Sequence, residues 1–162
     1  MYIKRDFEEL FTKMLFARKV LVVYGARQTG KTTLIDKLLS DKKIVKDGVV
    51  KFNGDIKLHR EILSYENMTP EKAASFIGNA KTLFIDEAQK ILDIGLSLKI
   101  IYDHFKDLKI VATGSSSFEL SEEVGEPLTG RMSAYVLSPL SYRELSDCFG
   151  AVSEIGQLSA RM

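Results

Sequence analysis

Gly25-Ala26-Arg27-Gln28-Thr29-Gly30-Lys31-Thr32-Thr33 is the stretch on which the fold of this chain turns. The apolar run Val20-Leu21-Val22-Val23-Tyr24 precedes it and Leu34-Ile35-Asp36-Lys37-Leu38-Leu39 follows it, so the sequence predicts strand, loop and helix in that order. In that context the spacing G-x-x-x-x-G-K-[ST] marks a phosphate-binding P-loop. Gly25 and Gly30 permit backbone angles and close approaches that a side chain would block. Peptide N–H groups of the loop can then turn inward and, with the positive end of the following helix, surround a polyphosphate. The expected phosphate-binding set is Gly25, Ala26, Arg27, Gln28, Thr29, Gly30, Lys31, Thr32 and Thr33. Arg27 and Gln28 enter it through their peptides. Lys31 is expected to place its ammonium on the outer phosphates, and the Thr32 hydroxyl to complete the shell of a magnesium ion.

The chain has 162 residues, the size of one domain, and such a chain hides roughly 70% of its unfolded surface. Hydrophobic residues make up 45% and charged ones 28%, the balance of a soluble globular protein. The net charge of +1 neither suggests nor excludes a nucleic-acid or anionic-lipid partner. Cys148 is the single cysteine, which rules out an internal disulfide and fits a reducing compartment. No apolar run approaches the roughly 20 residues that cross a bilayer, and the first residues lack a signal peptide's apolar segment. A cytoplasmic location without membrane contact is the expectation.

Working outward from the loop, Phe7, Leu10, Phe11, Met14 and Leu15 recur at helical spacing and predict one apolar stripe on an N-terminal helix. A turn or hairpin is expected around Lys46-Asp47-Gly48, and Val49-Val50-Lys51-Phe52 reads as the second strand. Thr69-Pro70 opens a helix that Gly78-Asn79 stops. Thr82-Leu83-Phe84-Ile85 and Ile110-Val111-Ala112-Thr113 read as the third and fourth strands, with a helix carrying Leu98, Ile101, Tyr102 and Phe105 between them. The acidic stretch from Glu119 to Gly130 reads as a surface segment, Ser133 to Leu137 as a fifth strand, and Ser141 with Glu144 as a capping box. Strands alternating with helices imply a parallel sheet covered on both faces, with the loop outside the carboxyl ends of the strands. The expected organisation is a core over residues 1–149 and a loosely held tail over 150–162.

Asp86-Glu87 follows the third strand directly. An aspartate there can hold magnesium as a second anchor beside Thr32. A glutamate one residue on can orient or deprotonate an attacking water. Beyond the fourth strand, the hydroxyls of Thr113, Ser115 and Ser116 either contact the γ-phosphate or that water, or satisfy the backbone of a turn. Arg131 is either a finger for the transferred phosphoryl group, in its own subunit or in a neighbouring one, or an ordinary surface arginine. His59 and His104 stand apart, without metal-ligand spacing.

With these pieces assembled, the chain resembles prokaryotic AAA+-like P-loop ATPases of the additional-strand, catalytic-glutamate class. Within that class it is similar to the large family of predicted bacterial and archaeal ATPases that usually carry a nuclease-like or DNA-binding-like C-terminal domain. The resemblance rests on Ile3-Lys4-Arg5, the loop from Gly25 to Thr33, Phe84-Ile85-Asp86-Glu87-Ala88-Gln89, Ala112-Thr113-Gly114-Ser115-Ser116, Leu128-Thr129-Gly130-Arg131 and the segment from Leu137 to Glu144. It implies a three-layer α/β/α sandwich with a five-stranded parallel sheet ordered 5-1-4-3-2, ATP binding and magnesium-dependent hydrolysis. It also carries metal roles to Thr32 and Asp86, water activation to Glu87, catalytic contacts to Lys31, Thr113 and Ser115, and a finger to Arg131. Family members continue well past the Pro-Leu-Ser segment, whereas this sequence stops at Met162, so neither lid nor second domain is expected in it. A second reading is a nucleotide-binding switch or interaction module with little hydrolysis. A small-molecule kinase would need an arginine-rich lid, and a GTPase an Asn-Lys-x-Asp motif; the sequence contains neither.

Overall fold

The computed structural model describes residues 2–42, 45, 48–115 and 126–149. Its framework is a five-stranded sheet formed by β1 (Val20–Tyr24), β2 (Val49–Asn53), β3 (Thr82–Asp86), β4 (Lys109–Gly114) and β5 (Met132–Val136). The spatial order is β2-β3-β4-β1-β5 and every pairing is parallel, which is the expected 5-1-4-3-2 arrangement counted from the other edge. β1 and β3 are buried along their whole length, as the apolar runs Val20–Tyr24 and Leu83–Ile85 predict for strands covered on both faces.

Alternation along the strands divides the core into two layers. Leu21, Val23, Phe84 and Val111 face α1 (Phe7–Leu15) and α2 (Lys31–Ser40), meeting Phe7, Phe11, Leu34, Ile35 and Leu38. Val20, Val22, Leu83, Ile85 and Ile110 point the other way, against α3 (Lys57–Leu63), α4 (Pro70–Ile77) and α5 (Ile94–His104). A last helix, α6 (Tyr142–Phe149), follows β5.

Local signals explain most boundaries. The Thr69 hydroxyl accepts a hydrogen bond from Lys72 N at 3.3 Å, Pro70 takes the first helical position, and Gly78 ends α4 at φ 55°. Ser141 and Glu144 form the expected reciprocal pair: Ser141 N donates to Glu144 Oε2 at 2.8 Å and Glu144 N to Ser141 Oγ at 3.2 Å. One expectation is corrected. Leu10 does not belong to the buried stripe of α1; it is 41% exposed, because Phe7, Phe11 and Leu15 repeat every four residues and rotate it to the outer flank. Residues 57–63, which carry no apolar stripe, form α3.

The expected turn at Lys46-Asp47, most of the acidic segment and the tail over 150–162 lie outside the described residues. Among the described residues no helix is long and apolar enough to cross a membrane.

Candidate functional site

The loop between β1 and α2 lies at the carboxyl end of the sheet, where β1, β3 and β4 all terminate. Its conformation depends on its glycines for different reasons. Gly30 is left-handed at φ 84°, and a side chain on Gly25 would lie 2.4 Å from the carbonyl oxygen of Leu137, which follows the neighbouring β5. Gln28 adopts φ 65° without being glycine, and such a strained residue inside a loop is a mark of functional sites.

The ammonium of Lys31 is buried inside the loop, donating to Gly25 O at 2.9 Å and Ala26 O at 2.7 Å. Burial lowers its pKa, opposed by the carboxylates of Glu87 and Asp86. Thr32 Oγ1 donates toward both oxygens of Asp86, at 3.1 and 3.0 Å. Asp86 is itself buried and takes a further, short hydrogen bond from the Thr113 hydroxyl. A threonine and an aspartate that are 54 positions apart in sequence thus share one point at the foot of the loop.

Glu87 follows in a left-handed conformation, φ 50°, which turns its carboxylate out of the line of β3. Gln89 Nε2 donates to Glu87 Oε2 at 2.7 Å and to Ser115 Oγ at 2.9 Å, tying the carboxylate to the end of β4, while Gln89 Oε1 is buried without a partner. The bend of Glu87 also packs on Gly54: a Cβ there would come within 2.2 Å of Glu87 O. Glu87, Lys31, Thr32, Thr33, Gly30, Gln28 and Arg27 open onto one cavity of about 470 Å³, which the ion-paired Asp55 and Lys90 also line.

A second cavity of about 290 Å³ adjoins the first across Gln28, Gly30 and Thr33 and is walled by Tyr2, Ile3, Pro139 and Leu140. Arg5 lies at its base, donating through Nε to Glu144 Oε1 at 2.9 Å, through Nη1 to Thr29 O at 2.9 Å and through Nη2 to Ser138 O at 2.6 Å. Burial alone would raise the Glu144 pKa, but the N–H groups of Ser141 and Asp6 and the Arg5 guanidinium outweigh it and hold it at about 2.

The structure therefore brings together Lys31, Thr32, Asp86, Glu87, Thr113 and Ser115. It does not bring Arg131 to them. Arg131 precedes β5, its carbonyl accepts from Val20 N at 2.8 Å, and its guanidinium pairs with Asp103 at 3.1 Å. That is the amino end of the sheet, one strand length or about 16 Å from the loop. A finger acting within its own subunit is corrected accordingly; what is left of that expectation is action on a second subunit. Arg5, Asp55, Gln89 and Lys90 had no role in the sequence reading. Arg5 and Gln89 lie within quoted motifs, but their partners become visible only once the chain is folded.

Comparison with known proteins agrees with this geometry. The AAA domain family model matches residues 17–146. An uncharacterized protein of Methanocaldococcus jannaschii is 32% identical over 130 residues, covering 80% of this chain, which spans 29% of that relative's length. Among solved structures, the Walker-type ATPase of Pyrococcus abyssi shares the fold with a TM-score of 0.62 at 16% identity, over 88% of this chain and 55% of the other. Domain III of the replication initiation protein DnaA of Thermotoga maritima does so with a TM-score of 0.60 at 15% identity, over 96% and 72%. With the loop, the buried Asp86 and the sheet order in place, this chain belongs to the AAA domain family and has an AAA+-like P-loop core.

Proposed function

We propose that the chain binds ATP with magnesium and hydrolyses it to ADP and phosphate, using the change at the site to drive a conformational change. The observation that carries this reading is the meeting of Thr32 Oγ1 with both oxygens of Asp86 beneath the loop, beside Glu87 on the same cavity. Hydroxyl and carboxylate are hard oxygen donors suited to magnesium. Among the described residues no cluster of three His, Cys, Asp or Glu could cage a metal, so phosphate oxygens and water would complete its shell. When bound, the ion would neutralise charge on the β- and γ-phosphates.

The chain's own groups supply the rest. Peptide N–H groups of the loop hold the phosphates, and Lys31 exchanges the carbonyls of Gly25 and Ala26 for their outer oxygens. Glu87 orients a water in line with the γ-phosphorus and takes its proton as the water oxygen bonds to phosphorus and the bridging oxygen departs with ADP. Thr113 fixes Asp86, and Ser115 acts on Glu87 through Gln89. The base occupies the adjoining cavity between Tyr2, Ile3, Pro139 and Leu140. Adenine is favoured over guanine by the family and by the missing Asn-Lys-x-Asp motif.

A second reading, a nucleotide-binding switch that turns over slowly, is favoured by the bond already engaging Glu87 Oε2. Labelled ATP and GTP titrated with and without magnesium test the binding half. Selective, magnesium-strengthened ATP binding that Lys31→Ala weakens about 10- to 100-fold is expected. Indifference to magnesium and to Lys31 would contradict it.

A further inference from the structure

We propose that the amino-terminal edge of the sheet, at the pole opposite the phosphate loop, binds single-stranded nucleic acid through a row of cations and an exposed aromatic ring. Val20 is in register with Ile110 on one side and Met132 on the other. Lys19, Lys109 and Arg131 each stand one position earlier, at the same level on three adjacent strands and about 4.8 Å apart from strand to strand. Lys81 stands outside the row, one position before Thr82, the β3 partner of Lys109, and its carbonyl accepts from Lys109 N at 3.0 Å. Arg18 and Lys106 flank it.

Like charges set side by side on neighbouring strands repel, so such a row costs stability unless something outside the chain meets it. Little inside the chain does. Asp103 takes Arg131 and Asp107 lies nearby, but among the described residues Arg18, Lys19, Lys81 and Lys106 form no ion pair. Arg18, Lys19 and Lys106 border a groove of about 200 Å³ that also includes Phe16, Lys109 and Leu108. Phe16 is 55% exposed just past the end of α1, and the Lys109 ammonium sits 4.2 Å from its ring centre. Arg18 is held at φ 50°, unusual for a non-glycine, with its carbonyl bonded to the Tyr102 hydroxyl at 2.9 Å. The turn is thereby pinned with Arg18 and Lys19 exposed.

A linear row of cations suits a linear polyanion, and a ring beside it gives a stacking surface that any base can use. One exposed ring is not the broad apolar face that seats a protein on a bilayer. The surface is independent of the nucleotide site.

The test is anisotropy of fluorescein-labelled oligodeoxythymidine and oligouridine of about twenty nucleotides, titrated with the full chain over a range of salt. Binding to either is expected, weakening as salt rises. Lys19→Ala with Lys106→Ala should make the log–log salt slope shallower by about 1.4. Phe16→Ala and Phe16→Leu should each lower affinity about tenfold without changing the slope. All of these side chains are exposed, so an unchanged melting temperature verifies folding. Lys31→Ala should bind the strands as wild type does. Absence of saturable binding, binding indifferent to these substitutions, duplex bound as tightly as single strands, or binding to phosphatidylserine vesicles in place of oligonucleotides would each overturn the proposal.

Discussion

Replacing Glu144 with Gln should destabilise the fold by about 3 kcal/mol near neutral pH. The figure follows from the depression of the Glu144 pKa from 4.5 to about 2, at about 1.4 kcal/mol per unit. It agrees with the roughly 3–5 kcal/mol lost when one partner of a buried ion pair is removed. Arg5 and Glu144 are each 7% exposed, so solvent screens their interaction weakly. Because the folded pKa lies below the unfolded one, the contribution is fully present above pH 4.5 and is lost as pH falls toward 2. The gap between wild type and Glu144→Gln should therefore shrink from about 3 kcal/mol at pH 7 to about 2 at pH 3.5. Urea unfolding at both pH values measures it, and at pH 7 the melting temperature should fall by about 6–12 °C. Loosening this cluster also frees the Arg5 contact to Thr29 O, so the phosphate loop should show faster amide exchange. A gap below about 0.5 kcal/mol, or one that widens in acid, would refute the reasoning.

Gly54→Ala should destabilise by about 1–3 kcal/mol and slow any hydrolysis, since its methyl would press on the Glu87 carbonyl; unfolding and turnover measured together verify this. Thr113→Val removes the donor that holds Asp86 and should weaken magnesium affinity in the nucleotide complex about 10- to 100-fold, read by metal titration. Gln89→Ala frees the Glu87 carboxylate from Ser115 and should change kcat by about tenfold while leaving KM within twofold, in steady-state assays.

The strands, the loop and the Asp86-Glu87 corner are legible in the sequence because each is a local pattern: an apolar run, a fixed glycine spacing, a polar pair at a strand end. α3 was not, because Ile56 and Leu58 are exposed and Leu63 alone is buried within the helix, so no apolar stripe announces it. Arg5 and Glu144 are 139 positions apart, and no local rule pairs them. The position of Arg131 is legible as well: a residue just before a parallel strand lies at the sheet's amino end, away from a loop at its carboxyl end. The cationic row was hidden for the same reason as the Arg5 cluster. Its members are dispersed from Arg18 to Arg131, and a net charge of +1 averages them against carboxylates elsewhere.

The most direct test of the proposed chemistry is single-turnover hydrolysis of ATP by wild type and Glu87→Gln under matched, saturating enzyme. Both should bind ATP with magnesium equally well, with Glu87→Gln slower by about 100-fold or more because the water loses its proton acceptor. Equal rates in the two proteins, with binding intact, would contradict the assignment of Glu87 and leave a nucleotide-binding switch in its place.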